Sequence, residues 1–205
     1  RPLTLGHLCA IYQRIKRVPD KPKTIYKKVV NLLLEEWDQQ RSIVRESMYA
    51  KFETDQKFEF LSNIAYELTS NGIRGEFTDA QLRNAYSAIY NNFGLSNTKL
   101  DTDDVIREVE SHTGLFVRAG IDKFEFAHKS IQEYLTAEYL VRLPSLNFVD
   151  DDVIEELGAE LAVATAISSH SSRYFSEVLL NIFPRNRLTF IFVQPFLSRL
   201  MVEKP

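Results

Sequence analysis

The chain has 205 residues, 44% hydrophobic and 26% charged, with a formal net charge of -3, a make-up that points to a soluble globular protein of one or two domains. A single cysteine, Cys9, excludes an internal disulfide, and with no CxxC or Cys/His cluster we expect a reducing, cytoplasmic setting and no structural zinc. No apolar run approaches the roughly 18 residues that span a bilayer and no signal-peptide pattern opens the chain, so no membrane partner is expected.

Charge is distributed unevenly. Residues 1–45 carry ten Lys/Arg against four Asp/Glu, residues 46–160 ten against twenty-two, and residues 161–205 five against two. A solvated helix face explains the basic start better than a docking surface does. Both ends, Arg1-Pro2 and Glu203-Lys204-Pro205, read as cuts in a longer protein.

Pro2, Leu3, Leu5, Leu8, Ile11, Tyr12 and Ile15 predict a first helix with proline at its start. The loop Val18 to Pro22 breaks it. Tyr26, Val29, Val30, Leu33 and Trp37 then fall on one stripe of a second helix. The pair forms a small helical subdomain over residues 1–45. Residues 46–54 read as a polar connector.

Phe58, Leu61, Ile64, Ala65 and Leu68 mark a helix that Asn71-Gly72 ends. Gly75-Glu76-Phe77 suggests a very short strand. Thr78 with Gln81 is a capping-box pattern opening a helix through Leu82, Ala85, Tyr86 and Ile89. After a loop over 91–98, Thr102 with Asp103 and Asp104 is expected to cap a further helix, which Thr113-Gly114 stops. Leu115 to Val117 and Lys123 to Phe126 flank the hairpin turn Gly120-Ile121-Asp122. Helix, short strand, helix, helix, hairpin is the order of a winged helix, placed over residues 46–142. Its last helix leaves the hairpin at His128 and runs to Leu140. A linker is expected over 141–152. Three helical segments follow over 150–205, read as the start of a second helical domain or as a helical repeat, punctuated by Ser168 to Ser172, Pro184 and Pro195. The fold class is therefore mainly α, with one small β-hairpin.

No phosphate loop of the form GxxxxGK[ST] or GxGxxG exists among the seven glycines. No nucleophile motif and no metal-ligand spacing occurs, so catalytic and metal residues are both read as none. The histidines are His7, His112, His128 and His170. Only His128 has a plausible chemical task. It stands where a strand meets a helix start, whose unpartnered N–H groups and positive dipole end suit a phosphate. On position alone a capping or core histidine is the better account. Winged helices often read DNA, yet the presumed recognition helix carries Asp103, Asp104, Glu108 and Glu110 against Arg107. Its field would repel phosphates, so nucleic acid is not the expected partner.

The stretch Phe126-x-His128-x-Ser130-Ile131-Gln132-Glu133-Tyr134-Leu135-x-Ala137-x-Tyr139-Leu140 resembles the FxHxSxQEYLxAxYL signature of NACHT-type STAND NTPases, the group that includes the NOD-like receptors and many bacterial signalling and antiviral proteins. Pro2-Leu3-Thr4-Leu5 with Leu8-Cys9 resembles the PLxLxxLC helix that follows the family's nucleotide-binding domain. Tyr26 to Asp38 resembles the next helix. The resemblance covers about residues 1–142. It implies a regulatory arm that closes over ADP and holds an inactive state. His128 would contact the ADP β-phosphate and Pro2 would pack on the adenine side. ATP and ADP with magnesium would belong to the full-length parent, none bound to this segment by itself. The segment is expected not to be an enzyme alone. Its implied partners are the upstream nucleotide-binding domain and, on activation, further copies of the parent. Arg1 and Ile131 depart from the family's usual residues. A DNA-binding winged-helix regulator and a purely structural interaction module remain as the alternatives.

Overall fold

The computed structural model describes residues 21–39, 48–112, 114–182 and 190–203. The first expected helix, with Pro2, His7 and Cys9, lies outside the described residues.

Helix α1 (Pro22–Gln39) begins on a proline, where the missing N–H costs nothing. It buries Val29, Val30, Leu32 and Leu34, while Tyr26 and Leu33 are only partly covered. The expected stripe placed Leu33 inward. In a run of three leucines the neighbouring helices, not the periodicity, choose which face turns in. The side chain of Trp37 lies outside the described ones.

Residues 48–53 are not a polar connector. A turn of 3-10 helix at Tyr49–Lys51 buries Tyr49 to 2% exposure. Its ring lies 5.0 Å from Phe60 and 5.6 Å from Phe52, centroid to centroid. One aromatic anchor outweighs its polar neighbours because it buries far more apolar area than they expose. Glu53 then caps α2 (Thr54–Ser70) through a reciprocal box with Gln56. At the other end Gly72 has φ 73°. The Gly72 N–H reaches the Thr69 carbonyl at 3.0 Å and the Ile73 N–H reaches Leu68 at 2.9 Å, which is the Schellman closure expected from Asn71-Gly72.

Strand β1 (Glu76–Thr78) leads into α3 (Asp79–Ile89), whose capping box is the expected one: the Gln81 N–H donates to Thr78 Oγ1 at 3.2 Å and the Thr78 N–H to Gln81 Oε1 at 2.8 Å. Helix α4 (Lys99–His112) starts a turn earlier than expected. Thr98, not Thr102, holds its first turn, accepting the Asp101 N–H at 3.3 Å and donating to the Asp101 carboxylate at 2.6 Å. Thr98-Lys99-Leu100-Asp101 is itself a Thr-x-x-acid frame, and Thr102 is buried inside the helix. Asp103 instead pairs with Arg83, which also holds Asp79, so α3 and α4 are tied together.

Strands β2 (Phe116–Arg118) and β3 (Lys123–Phe126) form the expected hairpin, and β1 joins it. The order is β1-β3-β2, antiparallel throughout, with Phe77 opposite Phe124 and Phe116 opposite Phe126. Alternation puts all four phenylalanines on the buried face. From β3 the chain passes into α5 (Lys129–Arg142).

The expected linker is packed down: Leu146 and Val149 are 1% and 2% exposed, and the Leu146 N–H donates to Glu177 at 3.2 Å. The one-turn helix α6 (Asp151–Ile154), α7 (Gly158–Ile167), α8 (Ser171–Ile182) and α9 (Phe190–Glu203) complete the described chain. Pro184 lies outside the described residues. Pro195 does not interrupt the chain but sits within α9. It removes one backbone hydrogen bond; packing carries the helix through. Phe192 and Phe196 are buried and their rings stack at 5.3 Å, and Phe196 lies 5.9 Å from Phe175 of α8.

Helix α7 runs against α9 at Gly158, where an added Cβ would stand 2.6 Å from the Phe192 carbonyl oxygen. Backbone cannot yield as a side-chain tip can. Gly158→Ala is expected to lower stability by about 1–3 kcal/mol, read as a fall in the urea midpoint at unchanged slope.

Candidate functional site

The strand-to-helix junction at 126–131 is built from both sides. Phe124 and Phe126 fix β3 in the sheet, and the Ala127 N–H continues the pairing by reaching the Leu115 carbonyl at 2.7 Å. His128 then takes extended backbone angles (φ -152°, ψ 140°) and becomes the N-cap of α5. Its Nδ1 accepts the Ser130 N–H at 3.2 Å, and its carbonyl accepts the Ile131 N–H at 2.9 Å. Because Nδ1 is the acceptor, the neutral ring carries its proton on Nε2. The side chain is half-buried. His128 therefore caps α5 through one nitrogen, and its ring stands at the positive end of a 14-residue helix.

Helix α5 is enclosed. Ile131, Tyr134, Leu135, Ala137 and Leu140 are at most 2% exposed, and Ser130, Gln132, Glu133 and Thr136 are buried too. It packs against α2, α7 and α1. Tyr139 is half-buried and stacks on Tyr66 at 4.0 Å. The polar residues of α5 each have an assigned place. Gln132 Nε2 donates to the Ile73 carbonyl at 2.7 Å and to Thr69 Oγ1 at 3.1 Å, while its Oε1 accepts the Gly75 N–H at 3.2 Å. Glu133 lies 3.5 Å from Lys129 and 3.5 Å from Arg199. A spacing-based reading missed Gln132 and Arg199. The available signal was polar residues on a helix whose apolar positions ring its whole circumference.

Beside this helix, Glu160 of α7 is 3% exposed and 3.4 Å from Arg74. Burial pushes its carboxyl above the ordinary 4.5 more than Arg74 pulls it down, and Glu133 adds to the rise. A carboxyl whose pKa is higher folded than unfolded contributes stability that is fully present below the unfolded value and is lost as pH rises through the folded one. Glu160→Gln removes that titration. In urea melts, the stability of Glu160→Gln relative to wild type is expected to improve from pH 4.5 to pH 7.5. A constant difference would contradict it.

Pro2, the other expected contact, lies outside the described residues. A groove of about 830 Å³ opens beside α4, lined by Tyr86, Leu95, Asp101, Asp104 and others, and His128 is not among its walls. Among the described residues no helix is long and apolar enough to cross a membrane.

A three-stranded wing, the helices α2, α3 and α4, and a signature helix leaving the wing at a capping histidine define a winged-helix module. A family model described as the winged helix-turn-helix domain C-terminal to NACHT matches residues 23–140. The chain belongs to that family, and is the non-catalytic part that follows a NACHT domain in the same polypeptide. No curated protein and no solved structure matches the chain.

Proposed function

We propose that this chain is the nucleotide-state-sensing arm of a NACHT-type STAND NTPase, closing over ADP to hold the inactive state. One observation carries the reading: His128 caps α5 through Nδ1 and so keeps its proton on Nε2, beside a helix start that favours an anion. What favours a phosphate group here is the His128 ring beside the positive end of α5. The NACHT domain would hold ATP or ADP with magnesium, and this chain would add the His128 donor and, from the resemblance, Pro2 on the adenine side. Exchange of ADP for ATP would remove the contact, free the arm and let the parent self-assemble as a cytoplasmic signalling protein, with a role in innate immune or antiviral defence.

The acidic α4 supports this reading over DNA recognition. Asp101, Asp103, Asp104 and Glu108 all lie on it, and Asp103 engages Arg83, a cation that phosphates would otherwise attract. The testing experiment uses the chain that includes the NACHT domain. His128→Ala is expected to shorten ADP retention and raise basal activity; unchanged retention and unchanged autoinhibition would sink the reading.

A further inference from the structure

Charged groups that the nucleotide reading leaves unused gather where α1, α5, α7 and α9 meet. Glu203, at the end of α9, is 0% exposed, and its Oε2 accepts the backbone N–H of Lys23 at 3.0 Å. That N–H belongs to the first turn of α1, which has no acid of its own. The anion at the positive end of α1 thus comes from a residue 180 positions away. The Lys23 ammonium donates the other way, to the Ala166 carbonyl in the last turn of α7, a cation at the negative end of a helix. Arg199, one turn before Glu203, lies 3.0 Å from Glu203 Oε1 and 3.5 Å from Glu133 Oε2 of α5. Its guanidinium also sits 5.7 Å from the centre of the Tyr26 ring on α1.

The cluster is held by charge more than by hydrogen bonds. Glu133 Oε2, Arg199 Nε and Nη2, and Glu203 Oε1 are buried without an aligned hydrogen-bond partner among the described residues. A buried ionic cluster short of hydrogen bonds recovers little of its desolvation cost, and apolar side chains of similar volume would grip more firmly. Such a cluster keeps two helices in register yet opens readily. Against α7, by contrast, α9 is packed through Phe192, Phe196 and the close approach at Gly158.

We infer that Arg199 and Glu203 form a polar latch by which α9 clasps the start of α1, and that this latch is the releasable contact between α1 and the layer of α5, α7 and α9. Its geometry stands apart from the nucleotide reading; its use as a switch rests on that reading. The test is hydrogen exchange on the chain that includes its NACHT domain. Glu203→Ala is expected to speed exchange of the amides at residues 23–26 about tenfold, the size of a lost helix cap, with α2 unchanged. The apolar triple Glu133→Leu, Arg199→Met, Glu203→Leu also loses that cap, but is expected to exchange the same amides more slowly than Glu203→Ala, because packing replaces the weak pairs. Unchanged exchange at 23–26 in Glu203→Ala, or a uniform rise across α1, α2 and α5, overturns the latch. So does a triple variant that exchanges there as fast as Glu203→Ala. His128→Asn, placed outside the cluster, reports on the nucleotide reading alone, so each idea can fail without the other.

Discussion

His128→Asn is expected to melt with the wild type and yet release ADP about 10-fold to 150-fold faster. Asparagine is among the best N-cap residues, so it replaces the Nδ1 contact to the Ser130 N–H and spares the helix. It is too short to carry a donor to the place of Nε2. A hydrogen bond to a charged group is worth about 1.5–3 kcal/mol, which sets the range through the tenfold per 1.4 kcal/mol relation. His128→Ala loses both functions, with about 1 kcal/mol of stability gone from the cap. The pair of variants separates capping from phosphate binding, the two roles that sequence position left in competition. The measurement is ADP dissociation from the NACHT-containing chain, beside a thermal melt. Equal ADP release by His128→Asn and wild type would leave the residue a cap and nothing more.

Gln132→Leu is the second large effect, and it falls on stability. The side chain is 2% exposed and makes three hydrogen bonds, to Ile73, Thr69 and Gly75. These pin the loop from α2 to β1 where Gly75 holds φ 95°, a region that favours glycine. Leucine keeps the volume, so packing is not the cause of the loss. Stranding the Ile73 carbonyl and the Gly75 N–H costs about 1–3 kcal/mol each where water cannot replace the partner. Both bonds are partly buried, so a total near 3 kcal/mol is expected, or roughly 6–12 °C in the melting midpoint of a chain this size. A loss under about 1 kcal/mol would show that the loop does not depend on Gln132. Because this loop also leads into β1, the variant is expected to raise exchange across β1 before α8.

Much of the fold was legible because it is written in local backbone chemistry. The Thr78 to Gln81 box, the Asn71-Gly72 stop and the Gly120-Ile121-Asp122 turn each need only neighbours a few residues apart. Alternation around Phe124 and Phe126 oriented β3 for the same reason. The errors came where two local signals competed or where a distant partner decided. Thr98 and Thr102 both head plausible helix starts, and the pairing of Asp103 with Arg83 of α3 accompanies the earlier one. Pro195 is a helix breaker by propensity, yet the stacked Phe192 and Phe196 bury that face of α9. Tyr49 looked like part of a polar stretch until Phe52 and Phe60 enclosed it.

At the site the division has the same origin. Sequence by itself determined that a strand meets a helix at His128, since the period of two residues gives way there to a helical pattern. It also carried the family signature that the match over residues 23–140 bears out. Tertiary structure alone decided that Nδ1 is the capping nitrogen, that Gln132 pins the β1 loop, and that Glu133 meets an arginine from α9. It alone brought Glu203 to the first turn of α1. Periodicity states which face of a helix turns inward. A buried charge needs its partner's position in space, and that position is set only when helices far apart in the chain close on the same core.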